Sequence, residues 1–115
     1  MESELIRAIL LEFGSRQDLR LWRANTGIAY GMSVIQKCKS LGYIPHDLPA
    51  TKYGVPGMAD IQGILKGGRH ISIECKGPGK KQTPDQKVWE EMVLSFGGIY
   101  VLAYNLEDVR RVLPC

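Results

Sequence analysis

The fold of this chain is decided by the stretch from Gly57 to Gln86, GMADIQGILKGGRHISIECKGPGKKQTPDQ. Met58 to Leu65 and Arg69 to Lys76 are two largely apolar segments, and Lys66-Gly67-Gly68 separates them. Apolar segments of this length, joined by a short glycine-containing connection, are typical of a β-hairpin. We therefore predict two antiparallel strands here.

The second strand of this hairpin combines an apolar face with a polar one. Successive side chains of a strand point to opposite faces. The pattern assigns Ile71, Ile73 and Cys75 to one face and Ser72, Glu74 and Lys76 to the other. The facing hairpin strand can bring Asp60 beside Glu74 and Lys76, so a carboxylate pair and an ammonium group are expected at one end of the hairpin.

Such a group suits a hard divalent cation. Two converging carboxylates, Asp60 and Glu74, favour Mg²⁺ or Mn²⁺ over zinc, and the backbone carbonyl of Cys75 is placed to complete the ligand set. Such an ion can polarise a phosphate and activate a water molecule for phosphodiester hydrolysis, while Lys76 orients the water or stabilises charge. Whether Lys76 also acts as a general base stays open, because its pKa depends on burial and on the metal. The competing interpretation is a solvated Glu74–Lys76 pair, worth at most about 1 kcal/mol.

The segment after the hairpin predicts a helix from Thr83 to about Phe96. Thr83 is a favourable N-cap, Pro84 is suited to the first helical position, and Gln86 completes a T-x-x-Q capping box. Gln86 also lies on the helical stripe that faces the sheet. Its role as a helix cap and its role at the site both remain open.

The remaining elements follow from apolar periodicity and from turn residues. We predict a helix from Glu2 to about Phe13, a strand from Leu19 to Trp22, a short helix from Met32 to Leu41, a long loop from Tyr43 to Gly57, a strand from Ile99 to Tyr104, and a helix capped by Asn105 and running through Leu113. This order indicates an α/β fold, in which a mixed central β-sheet is flanked by helices. Residues 1–115 are expected to form a single domain.

The composition argues against a membrane-spanning, secreted or zinc-binding protein. The chain has 115 residues, a net charge of +3 and three cysteines without metal-ligand spacing. No apolar run approaches the roughly 20 residues that span a bilayer. Met1 is followed by Glu2-Ser3-Glu4, unlike a signal peptide. We expect a cytoplasmic protein, without a structural zinc site, whose mild positive charge is compatible with binding a polyanion.

Three motifs together resemble a known family. Gly54-Val55-Pro56-Gly57-Met58-Ala59-Asp60, then Ile73-Glu74-Cys75-Lys76-Gly77, then Thr83-Pro84-Asp85-Gln86, resemble successive motifs of the virus-type replication-repair nuclease (VRR-NUC) domains, a branch of the PD-(D/E)XK nuclease superfamily. Glu2 with its helix, and Leu21 to Gly27, resemble the family's N-terminal part, whereas residues 31–53 match most poorly. Ala59 replaces the proline of the superfamily's name. The resemblance implies a restriction-endonuclease-like core in which Asp60 and Glu74 bind metal and Lys76 is the catalytic lysine. Gln86 would be the polar residue of the following helix and Glu2 the acidic residue of the first, with Glu4 as its competitor.

The resemblance also implies a substrate and an assembly. Small members of the family resemble Holliday-junction resolvases, so we expect a homodimer that cuts branched DNA in the cytoplasm of a bacterial host, encoded by a phage or prophage. Phosphate contacts are expected from Lys80 and Lys81, just beyond the catalytic strand, and then from Arg23 and Asn25. Two alternatives are a non-catalytic DNA-binding module and a repair- or restriction-type nuclease acting on flapped or linear DNA.

Overall fold

The structure is a computed structural model that describes residues 2–24, 27–29, 51–53 and 55–113. The chain divides into two compact units, one formed by Met1–Ala24 with Pro56–Cys115 and the other by Asn25–Val55. The larger unit contains α1 (Glu2–Phe13), β1 (Leu19–Arg23), β4 (Ile61–Leu65), β5 (His70–Cys75), α2 (Pro84–Ser95), β6 (Ile99–Ala103) and α3 (Leu106–Arg110). The smaller unit contains β2 (Gly27–Ala29) and β3 (Thr51–Tyr53), which pair antiparallel.

The larger unit is built on a four-stranded mixed sheet in the order β1-β4-β5-β6. β4 pairs antiparallel with both β1 and β5, and the predicted hairpin has Ile61 opposite Ile73 and Gln62 opposite Ser72. β5 and β6 are parallel. Parallel neighbours need a crossover connection, and α2 provides it. The predicted α/β fold with a mixed sheet flanked by helices is confirmed.

The two faces of the sheet carry different chemistry. On one face, α1 and α3 bury Ile6, Ile9 and Val109 against the apolar residues of the strands, including Ile61 and Ile73. On the other face, α2 meets polar side chains of the strands through hydrogen bonds. The alternation of β5 therefore separates an apolar core from a polar layer beneath α2.

Several element boundaries differ from the sequence prediction. β4 begins at Ile61 instead of Met58, because the chain turns at Gly57, with φ 78°, before the ladder starts. The last helix ends at Arg110 and continues as turns, in which the amide of Leu113 still bonds to the carbonyl of Val109. β3 lies inside the predicted loop 43–57, where pairing with β2 satisfies its backbone groups. The predicted helix 32–41 lies outside the described residues.

Among the described residues, no helix is both long and apolar enough to cross a membrane.

Candidate functional site

Asp60 lies immediately before β4, at the end of the sheet where β5 finishes. Its backbone carbonyl accepts a hydrogen bond from the amide of Ala24 at 2.8 Å, which ties it to the end of β1. Its carboxylate oxygen Oδ2 accepts a hydrogen bond from the backbone amide of Cys75 at 2.9 Å. The hairpin register thus brings Asp60 to the last residues of β5, as the sequence predicts.

Glu74 is the buried carboxylate of the site, with only 3% of its surface exposed. Its Oε2 accepts a hydrogen bond from Nε2 of Gln86 at 3.2 Å. Its Oε1 is buried and has no hydrogen-bond partner within the described part of the chain. Burial raises the pKa of Glu74 to about 8, and the negative charge of neighbouring Asp60 adds to the increase. The site therefore holds a buried carboxyl group with one unsatisfied oxygen, an arrangement that is rare in folded proteins.

The two residues after Glu74, Cys75 and Lys76, have side chains in different environments. The Cys75 side chain is fully buried in the core, and burial raises the pKa of its thiol to about 12, so the thiol is inert at neutral pH. Lys76 lies just beyond β5, half-buried, with its backbone amide bonded to the carbonyl of Ala103 at 3.0 Å. Its ammonium group forms no ion pair with any described residue, while its positive charge opposes the increase in the pKa of Glu74.

Gln86 makes both of the contacts that the sequence left open. Its Oε1 accepts a hydrogen bond from the amide of Thr83 at 2.9 Å, and the hydroxyl of Thr83 accepts one from the amide of Gln86 at 3.2 Å. This is the predicted capping box. Its Nε2 meanwhile donates to Glu74. The first turn of α2 is therefore linked directly to the carboxylate pair.

Gly57 positions this helix turn against the loop that carries Asp60. Its φ of 78° is in the left-handed region that glycine tolerates best. A Cβ added at Gly57 would lie 2.1 Å from the carbonyl oxygen of Asp85 and 2.8 Å from the amide nitrogen of Gln86. Only a glycine permits this approach of the loop to the start of α2.

Glu2, and not Glu4, forms a hydrogen bond with the chain just beyond β5. The Glu2 oxygen Oε2 accepts a hydrogen bond from the amide of Gly77 at 3.1 Å and lies 3.5 Å from Nζ of Lys80. The amide of Gly77, more than the charge of Lys80, lowers the pKa of Glu2. Glu4 is exposed and lines one groove with Lys76, Gly77 and the start of α3, but it makes no hydrogen bond to them among the described residues.

The basic residues expected to contact phosphates lie at the edge of this site. Lys80 and Lys81 are exposed, and the Lys80 carbonyl accepts a hydrogen bond from the hydroxyl of Tyr104 at 2.7 Å, which anchors the segment after Gly77. Arg23 is exposed at the end of β1, next to Ala24 and therefore near Asp60. Asn25 lies outside the described residues.

A polar cluster beneath α2 was not predicted from the sequence. The Gln62 oxygen Oε1 accepts a hydrogen bond from the Ser72 hydroxyl at 2.7 Å and lies 2.7 Å from Nε2 of His70. The indole of Trp89 donates to the Ser72 oxygen at 3.1 Å. Gln62 and Ser72 are both buried. Polar residues at alternate positions of two otherwise apolar strands could have indicated this cluster. Which of them pair, however, depends on the hairpin register.

The residues present fit a hard divalent cation at Asp60 and Glu74. The negative charge of Asp60 disfavours ionisation of Glu74, and one Glu74 oxygen is buried without a partner among the described residues. A cation between them would relieve both conditions. Within residues 2–24, 27–29, 51–53 and 55–113, no three or more histidine, cysteine, aspartate or glutamate side chains gather into a ligand set. A cation at the pair would take its remaining ligands from backbone or water oxygens, and the Cys75 carbonyl stays a predicted ligand.

Comparison of the chain with known protein families, curated proteins and solved structures finds no match.

Proposed function

We propose that this protein is a metal-dependent endonuclease that hydrolyses phosphodiester bonds in DNA. The observation that carries the proposal is the buried carboxylate of Glu74, which has an unsatisfied oxygen, lies beside Asp60 and is followed by Lys76. An unpaired buried carboxylate is costly for a fold to keep. A function that requires a cation at this position explains its presence.

The proposal assigns a separate role to each residue of the site. Asp60, Glu74 and the Cys75 carbonyl would hold Mg²⁺ or Mn²⁺, which supplies phosphate polarisation and lowers the pKa of a bound water. Lys76 stabilises charge on the phosphate or orients the attacking water. Gln86 fixes the rotamer of Glu74 through the hydrogen bond at 3.2 Å. Glu2 holds the turn at Gly77, which keeps Lys76 and Lys80 at the edge of the site.

The substrate and assembly in the proposal rest on the resemblance to VRR-NUC domains with a restriction-endonuclease-like core. A chain of 115 residues carries one such site, so paired cuts across a four-way junction need two copies. We propose a homodimer acting on branched DNA in the cytoplasm of a bacterial host, with exposed Lys80, Lys81 and Arg23 contacting phosphates.

The experiment is incubation of the purified protein with a labelled four-way junction and Mg²⁺ or Mn²⁺. Asp60→Asn removes one carboxylate charge with little change of shape, and Glu91→Gln, at an exposed position of α2, is the matched control. We expect symmetrical nicks with the wild type and the control, and none with Asp60→Asn. Binding without cutting under either metal would contradict the nuclease proposal and favour a non-catalytic DNA-binding module.

Linear and flapped duplexes in the same assay test the substrate class. Preferential cutting of the junction supports the resolvase proposal. Equal or faster cutting of a flap or linear duplex would favour a repair- or restriction-type nuclease and would remove the reason for a dimer. Sedimentation of the protein with and without junction DNA checks the dimer directly.

A further inference from the structure

Both tryptophans of the chain line one groove on the α2 side of the sheet. The groove encloses roughly 490 Å³, within the range of small-ligand sites. Trp22 is 49% exposed and Phe96 is 85% exposed, which is unusual for such large apolar side chains. The walls are mostly apolar or aromatic; they are formed by Trp22, Met58, Trp89, Met92 and Phe96.

The groove lies on the α2 face of the sheet, close to the candidate site along β4 and β5. Gln62, in its floor, is two residues beyond Asp60 on β4, and Ser72 is two residues before Glu74 on β5. Two residues of a strand span about 7 Å, comparable to the advance of an extended DNA strand over one nucleotide. A phosphate at the two carboxylates would therefore have the base of a neighbouring nucleotide over this groove.

The polar groups beneath the groove have a defined orientation, and Gln62 and Ser72 are buried and bonded to each other. Nε2 of Gln62 donates to the carbonyl of Ala59 at 3.1 Å, which fixes the amide with its oxygen toward His70 and Ser72. Because that oxygen can only accept, Nε2 of His70 carries a proton. Burial lowers the pKa of His70, so the ring is neutral and its Nδ1 is an acceptor. The aromatic walls match the apolar faces of a nucleobase, and Nδ1 of His70 is an acceptor that can meet its hydrogen-bonding edge.

We infer that this groove binds an unpaired nucleobase of the DNA strand whose phosphate lies at Asp60 and Glu74. The inference rests on the proposed function, and it specifies the substrate further: the strand next to the cut is unpaired or is opened by the protein. The exposed indole of Trp22 stacks on the base, and Trp89 is held by its hydrogen bond to Ser72. Stacking accepts any base, so the groove selects unpaired structure instead of sequence.

The test uses the tryptophans themselves, because the chain contains only two and both line the groove. Wild-type protein in EDTA is titrated with a short single-stranded DNA and with an abasic deoxyribose-phosphate strand of the same length. We expect the DNA to quench tryptophan emission and to bind at least about ten-fold more tightly than the abasic strand, the effect of a stacked base. Trp22→Ala should remove this difference and leave the affinity for the abasic strand unchanged. Leu11→Ala, at an exposed position of α1, is the control and should retain the difference.

Equal affinity for the two strands, or unchanged emission on DNA binding, would overturn the inference. So would a wild-type dimer that Trp22→Ala converts to a monomer without changing DNA affinity, since the groove would then be a surface for a second copy. The titration contains no metal and is independent of cleavage. If the protein cuts the junction but binds the two strands equally, only the inference that the groove binds a base is contradicted. If DNA quenches the emission in a base-dependent way but no metal supports cutting, the nuclease proposal is contradicted and base binding in the groove is retained.

Discussion

The amide nitrogen of Gln86 donates a hydrogen bond to Glu74 at 3.2 Å while the amide oxygen of the same side chain accepts one from the backbone of Thr83 at 2.9 Å. One side chain therefore joins the capping box of α2 to the buried carboxylate of β5. The start of the helix and the geometry of the site cannot vary independently. Substitutions at Gln86 and Thr83 can remove either the hydrogen bond to Glu74 or a hydrogen bond of the capping box while keeping the other contact.

Gln86→Glu should impair the site and preserve the cap. Glutamate keeps an oxygen that accepts the Thr83 amide, but it replaces the donor to Glu74 with a third carboxylate. We expect metal-dependent cleavage to fall about ten-fold or more, equivalent to about 1.4 kcal/mol of transition-state stabilisation. Single-turnover junction cleavage measures this effect.

Thr83→Ala is the complementary change. It removes the hydroxyl that accepts from the Gln86 amide and should lower the free energy of unfolding by about 1 kcal/mol, the usual effect of losing an N-cap. The cleavage rate of the folded protein should stay within about two-fold of wild type, because the contact with Glu74 is kept. If Thr83→Ala were the more damaging change for cleavage, the contact with Glu74 would have only a structural role.

Stability of the metal-free protein should fall with rising pH because of Glu74. Its pKa of about 8 in the folded chain exceeds its ordinary value of 4.5. The folded state therefore holds the proton more tightly, and this stabilisation is complete below pH 4.5 and is lost as the pH rises through 8. The slope approaches about 1.4 kcal/mol per pH unit for one proton. Urea unfolding in EDTA between pH 7 and 8 measures it. Burial lowers the pKa of His70 below its ordinary value of 6.5, so the opposite contribution of this histidine fades above that pH.

Glu74→Gln is the control for this pH dependence. The amide has no charge to bury, so the free energy of unfolding should be nearly constant across the same interval. A slope that persists in the variant would assign the pH dependence to another group.

Mg²⁺ or Mn²⁺ should stabilise the folded protein without any DNA. Binding to the folded state alone adds about 2.7 kcal/mol to the free energy of unfolding when the ion is at a hundred times its Kd. The effect should be larger at pH 8 than at pH 6.5, since the ion displaces the proton from Glu74. Thermal unfolding with metal or EDTA tests this. Asp60→Asn should abolish the shift and Glu91→Gln should retain it; an equal shift in all three proteins would place the ion elsewhere.

Gly57→Ala should be more damaging than Gly79→Ala. The two glycines have nearly equal φ values, 78° and 75°, so both substitutions share the strain of about 1–2 kcal/mol for a left-handed alanine. Only at Gly57 would the added Cβ collide with the backbone of α2. We expect a further loss of about 1–3 kcal/mol for Gly57→Ala, measured by urea unfolding. Equal losses in the two variants would mean that the loop simply moves away from the helix.

Glu2→Ala and Glu4→Ala should differ in cleavage. Glu2 accepts a hydrogen bond from the Gly77 amide and pairs with Lys80. Glu4 is exposed and lines a groove with Lys76 and Gly77, but it makes no hydrogen bond to either of them among the described residues. Loss of Glu2 frees the turn after Lys76, and cleavage should fall several-fold, with Glu4→Ala close to wild type. The opposite ranking in a junction-cleavage assay would give Glu4 the role at the site.

Local signals in the sequence were sufficient for most elements of the fold. The T-x-x-Q box at Thr83, the glycine-containing hairpin at 66–68 and the alternation of β5 each depend on neighbouring residues, so they could be read without a three-dimensional context. The strand β3 was missed because its partner among the described residues is β2, a segment distant in sequence. The end of α3 was placed too late, since Leu113 remains buried although the helix has stopped.

The sequence by itself determined which chemical groups are available and on which face of a strand each one lies. Only the tertiary structure decided which of them meet. The amide of Cys75 reaches Asp60 across the hairpin, Glu2 reaches Gly77 from the first helix, and Gln62 joins His70 and Ser72 beneath Trp89. These contacts join residues far apart in the chain, and they depend on strand register and helix packing. The unsatisfied oxygen of Glu74 belongs to the same category, because burial is a property of the packed sheet and helix and not of the residue.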